Sequence, residues 1–84
     1  MFIRFDPTKN DANIAKHGVS LSRAEEMEIL AYVSDDRFEE PRFRLYGIID
    51  GQAYCAAGTD RDGTVRMISL RRAHAKEMRR YVAN

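Results

Sequence analysis

The chain has one cysteine, two histidines and no apolar run long enough to cross a bilayer. A lone Cys55 excludes an internal disulfide and fits a reducing compartment. In a strand-like stretch such a thiol reads as core filler rather than a nucleophile. Cys55, His17 and His74 do not make a metal-ligand set, so neither a metal nor another cofactor is expected. No signal-peptide pattern is present, and a cytoplasmic location without a membrane partner is expected. Also missing are a Ser-His-Asp order, a glycine-rich phosphate loop and a His-Glu-x-x-His motif. No aromatic signature of an RNA-stacking sheet and no recognition-helix pattern for DNA occurs.

What remains is a charged, moderately apolar chain. An apolar fraction of 44% with 32% charged residues suits a folded globular protein. Its 84 residues predict a single domain over 1–84 with a small core. The net charge of +1 hides a division along the chain. Residues 61–84 carry seven basic and two acidic side chains, a net of +5. Residues 1–60 carry seven basic and eleven acidic, a net of −4. Such polarity offers a basic surface to phosphates, although a solvated basic helix fits the charge equally well.

"FIRF" alternates like a short first strand. Asp6-Pro7 then forms a helix start, and Gly18 supplies the left-handed residue that closes the helix after His17. Ser20 or Ser22 opens a second predicted helix, with Ser22 and Glu25 at capping-box spacing and a stripe of Leu21, Ala24, Met27 and Ala31. "ILAYV" fits either an extension of that helix or a strand. "RFRLYGII", Asp50-Gly51 and "QAYCAAGT" predict a hairpin on a two-residue turn. Asp62-Gly63 leads into a further strand, "TVRMISL", and a closing helix is predicted from about Arg72 to Val82. The expected fold class is α+β: an antiparallel sheet with two N-terminal helices and one C-terminal helix.

Two clusters carry possible chemistry. Lys9, Asn13, Lys16 and His17 fall on one polar face of the first helix. Two ammonium groups beside an imidazole can bind a phosphate and move a proton near neutral pH. Lys and His also favour helix C-termini through the dipole alone. The second cluster is Arg61, Arg71 and Arg72 at strand ends, whose planar forks match phosphate oxygens. Pairing with Asp60, Asp62, Glu39 or Glu40 is the structural alternative. Cleavage of RNA by its own 2′-hydroxyl needs little more than these groups, because the substrate brings its nucleophile.

The stretch "FDPTKNDANIAKHGVSLSRA" followed by "TDRDGTVRMISLRRAHAKEMRRY" resembles the BrnT family of toxins from bacterial type II toxin–antitoxin pairs. The matching positions are Phe5, Asp6, Pro7, Lys9, Asn13 and Lys16 to Ser20. They continue with Arg61, Arg66, Ile68, Ser69, Arg71, Arg72, Ala73, Glu77 and Tyr81. The resemblance implies a compact RelE-like fold that cuts RNA without metal and halts translation. It also implies a cognate BrnA-like ribbon-helix-helix antitoxin, which neutralises the toxin and carries the only link to DNA. Phe5 stands where the family usually has Trp, Glu28 where it has an apolar residue, and "AYCAAGT" where a Val-rich strand is usual; these touch packing more than charge.

On this basis the expected catalytic residues are His17 for proton transfer, with Arg61 and Arg71 on the scissile phosphate. Lys9, Lys16, Arg42 and Arg72 are expected to position RNA. His74 is the second candidate for proton transfer, although its apolar stripe suggests the core edge. Glu77 is expected to partner an arginine, with a general-base role as the alternative. The competing class is a non-catalytic basic module that docks an acidic protein.

Overall fold

The computed structural model describes residues 2–82. Strand β1 (Ile3–Arg4) leads into helix α1 (Pro7–His17). The Asp6 side chain accepts from the Thr8 N–H at 2.7 Å, and Gly18, at φ 73°, donates its N–H to Ile14 O at 2.8 Å. Both predicted caps of this helix are therefore in place.

The second N-terminal helix is different from the expectation. Leu21–Glu26 forms a short 3₁₀-helix capped by Ser20, and Met27 leaves it in extended conformation. Glu28–Asp35 is strand β2. Ile29, Tyr32 and Val33 are strand formers, and pairing with the neighbouring strand outweighs one more helical turn. Ala31 thus lies on a strand, not on a helical stripe. Strands β3 (Arg42–Ile49), β4 (Gln52–Arg61) and β5 (Thr64–Arg72) follow on tight turns, with Asp50 and Asp62 at positive φ. Helix α2 (Ala75–Tyr81) is shorter than expected.

The sheet order is β1-β5-β4-β3-β2. Pairing is antiparallel except between β1 and β5, which run parallel, so the sheet is mixed. One face carries the core: Phe43, Leu45, Ile49, Ala56, Met67 and Leu70 pack against Leu21, Ala24 and Met27 of the 3₁₀ segment and against Ile3. Each large apolar side chain buried there contributes about 1.5–3 kcal/mol of transfer free energy. Gly47 is required here, because a Cβ would run into the Glu28 carbonyl and approach Met27 Cγ at 2.6 Å.

A bulge in β5 decides what the other face displays. Ala57 pairs with Ser69 and Gly58 with Met67, leaving Ile68 with no opposite residue. Met67 and Leu70, three apart, therefore both reach the core. Arg66, Ser69 and Arg71 all emerge on the opposite face. Cross-strand partners share a face, so the register there gives three rungs. They are Arg4–Arg66–Thr59–Arg42, Ser69–Ala57–Arg44–Val33 and Arg71–Cys55–Tyr46–Ala31. Helix α2 covers the third rung, with the Tyr81 ring stacked 5.0 Å from that of Tyr46.

Candidate functional site

The strand β1 is so short that it pairs β5 only at Val65 and Arg66. Beyond it, the buried Asn13 side chain supplies the missing neighbour. Its Nδ2 donates to Leu70 O at 2.8 Å and to Val19 O at 2.9 Å, while Oδ1 accepts from Leu70 N at 3.1 Å. Asn13 is thus a structural clamp, not a free member of the polar helix face. The clamp holds α1 beside the bulge, where Lys9, Lys16 and His17 line a groove of about 200 Å³ with Ile68 and Ser69. Among the described residues, none of these three cationic or imidazole groups has a carboxylate within ion-pair distance.

Arg71 lies in a different environment. Its two terminal nitrogens donate to both oxygens of Glu77 at 2.8 and 2.9 Å, and one also reaches Arg72 O at 3.2 Å. Glu77 is therefore the arginine partner that was expected. It accepts further bonds from the Tyr46 hydroxyl at 3.2 Å and the His74 backbone N–H at 3.0 Å. The Arg71 fork holds the Glu77 carboxyl down at about 2, against the opposing effect of burial. Glu77 is thus ionised and engaged at neutral pH, and is unavailable as a free base. Burial pushes the Tyr46 phenol and the Cys55 thiol up, so both stay protonated.

Arg44 completes the cluster by donating to the Tyr46 hydroxyl at 2.9 Å. With Lys76, Glu77, Arg80 and Tyr81 it lines a groove of about 190 Å³. The buried Nε atoms of Arg42 and Arg44 and the Thr59 hydroxyl have no hydrogen-bond partner among the described residues. Arg42 stacks 3.9 Å over the Phe38 ring, and no carboxylate among the described residues lies within ion-pair distance of it. This arginine-lined face can receive anionic oxygens without first breaking an ion pair at Arg42 or Arg44.

The remaining expected residues are dispersed. Arg61 is an exposed residue paired with Glu40 at 2.7 Å. It borders a groove of about 250 Å³ with Arg4, Asp62, Thr64 and Arg66. Arg61 pairs with Thr64 at the start of β5, and Arg71 lies at its far end. At about 3.3 Å per residue, the two are about 20 Å apart and do not converge on one phosphate. Arg72 projects from the core side of the sheet, its guanidinium 5.6 Å over the Tyr54 ring. His74 is exposed as the N-cap of α2 and not at the core edge.

Arg4, Arg44, Arg66, Tyr46 and Tyr81 join the site without having been expected there, Arg66 and Tyr81 having entered only as positions of the family resemblance. Arg44 was legible, since it stands two residues from Arg42 in a predicted strand and so shares its face. Arg66 was not, because only the bulge aligns it with Arg71.

A family model described as the ribonuclease toxin, BrnT, of type II toxin–antitoxin systems matches residues 5–77. The chain belongs to the BrnT family. The fold agrees: the crystal structure of the Brucella abortus ribonuclease toxin, BrnT, superposes with a TM-score of 0.67 at 24% identity, covering 86% of this chain and 95% of that one. A search of curated proteins finds no match. In this BrnT chain the α1 groove and the arginine face meet at Ser69, which lines the groove and shares a sheet face with Arg71. Membership implies an antitoxin partner. No helix among the described residues is long and apolar enough to cross a membrane.

Proposed function

We propose that this BrnT chain is a RelE-like, single-domain endoribonuclease that cuts RNA by attack of the 2′-hydroxyl, without a metal, and so arrests translation in the cytoplasm. The observation that carries the reading is the α1 groove, where two ammonium groups and an imidazole line a pocket with Ser69 and no carboxylate among the described residues lies within ion-pair distance of them. His17 moves the proton there. Lys9 and Lys16 attract and orient the phosphodiester backbone.

Arg71 stabilises the charge that builds on the phosphate. Its contacts in the cluster leave part of its five-donor fork free for a phosphate oxygen. Arg42 holds the strand across the sheet face. Arg61, at the end of β4, serves a phosphate several nucleotides away. Arg72 contributes charge from the opposite face.

A ribbon-helix-helix antitoxin of the BrnA kind would neutralise the toxin through an acidic segment laid over the basic surface, and would alone contact DNA. One feature favours a second reading, a basic module that docks an acidic protein: the Arg71 fork already holds a carboxylate.

Purified protein incubated with RNA in EDTA distinguishes the two. The ribonuclease reading expects fragments ending in 2′,3′-cyclic phosphate, arrested growth on expression, and loss of both when the antitoxin is added. Intact RNA at high protein concentration, with growth unaffected, would favour the docking module.

A further inference from the structure

The surface least like the rest of the molecule is the open edge of β2. This strand ends the sheet, and among the described residues its outward N–H and C=O groups have no strand to pair with. Its centre, residues 29–34, is uncharged. Ile29 is 45% exposed, Leu30 46% and Tyr32 64%. Edge strands are often guarded by an internal lysine or proline, and Glu28–Asp35 has neither; its irregularity is a bulge at Leu30 in the pairing with β3. Charge is confined to its flanks and is mainly acidic. Residues 25–40 hold seven acidic side chains and one basic, Arg37.

We propose that this edge is a docking site for a β-strand of a partner protein with an apolar centre and basic ends. Backbone pairing along β2 would supply affinity, while Ile29, Leu30 and Tyr32 would pack alternate apolar side chains of the incoming strand. Glu28 at one end and the exposed Asp36 at the other select lysine or arginine flanks, Asp35 being held by Arg37. A second copy of this chain is a poor occupant. Antiparallel self-pairing centred on residues 29–34 sets Glu28 of each copy against Asp35 of the other, and parallel pairing aligns like acids directly. The site is independent of RNA cleavage, because β2 contributes no residue to either groove beside Ser69 or Arg44. Its preference is opposite to that of the arginine face, which attracts acidic segments.

The test uses the whole chain and a short synthetic peptide alternating valine and threonine between paired terminal lysines. Controls carry terminal glutamates in place of the lysines, or a central proline. Amide resonances of residues 29–34 should shift on titration with the lysine-ended peptide. Binding should fall about tenfold or more with glutamate ends or the proline. The double variant Glu28→Lys, Asp36→Lys should reverse the preference between lysine and glutamate ends, while RNA cleavage stays at its wild-type rate. The proposal is overturned if residues 29–34 do not shift, if the shifts fall on the arginine face, or if both peptide ends bind equally. Concentration-dependent dimerisation through β2 without peptide would overturn it too, by making a second copy the occupant.

Discussion

The α1 groove and the arginine cluster over β3 and β5 are both cationic, but they hold their charge in opposite ways. In the groove, Lys9, Lys16 and His17 have no carboxylate partner among the described residues. In the cluster, Arg71, Glu77, Tyr46 and Arg44 are linked in a chain of hydrogen bonds. Removing a free charge should cost activity and little stability, whereas removing a networked one should cost both.

Arg71→Ala should therefore have the largest effect. It strands Glu77 and costs about 1–3 kcal/mol of stability, and cleavage should fall by more than about 10²-fold. Arg71→Lys keeps the charge without the fork, and should recover most of the stability but little activity. Urea unfolding and single-turnover cleavage of the same preparations measure the two effects. Equal activity of the alanine and wild-type proteins would make the cluster purely structural.

His17→Ala should come next, lowering the rate by about 10²-fold with a stability change under about 1 kcal/mol. The pH–rate profile sharpens this, since a limb carried by the proton-transferring group should vanish in the variant. An unchanged profile would reduce His17 to a helix terminus.

Acid unfolding separates the regions differently. The Glu77 carboxyl lies at about 2 instead of its ordinary 4.5, so its contribution is complete above about 4.5 and is lost as pH falls toward 2. Glu77→Gln should flatten the stability profile within that window and leave it parallel to wild type above. A variant that loses stability as steeply as wild type between those values would show that other carboxylates control the acid limb.

Smaller still, Lys9→Ala and Lys16→Ala should each weaken RNA binding and reduce its salt dependence by a slope of about 0.7. The least effect is expected for Arg61→Ala. Its pair with Glu40 is exposed, so stability should move by under about 1 kcal/mol. An Arg61 variant as inactive as Arg71→Ala would place both on one phosphate despite their separation.

The sequence was most informative where structure is local. The caps at Asp6 and Gly18, the turns at Asp50-Gly51 and Asp62-Gly63, and the face shared by Phe43, Leu45, Tyr54 and Ala56 all follow from short-range patterns. So does the gathering of Lys9, Lys16 and His17, since helical spacing alone puts them together. Long-range pairing was illegible. The parallel contact of β1 with β5, the conversion of "EILAYVSD" to an edge strand and the bulge at Ile68 depend on neighbours remote in the chain. The bulge matters most, because strict alternation would have put Arg71 on the face opposite Arg66.

The Asn13 clamp joins residues 57 positions apart, far beyond the hairpin contacts of β3, β4 and β5. Those hairpins close short loops and can form early, whereas the clamp requires β5 to be complete before α1 can settle on it. Docking of α1 is thus expected to be a late folding event and the first local opening of the native state. Asn13→Ala should then accelerate unfolding with little change in the folding rate. In native-state hydrogen exchange the Leu70 amide should exchange with α1 rather than with the strands beside it, and the same opening would loosen the groove that holds Lys9, Lys16 and His17.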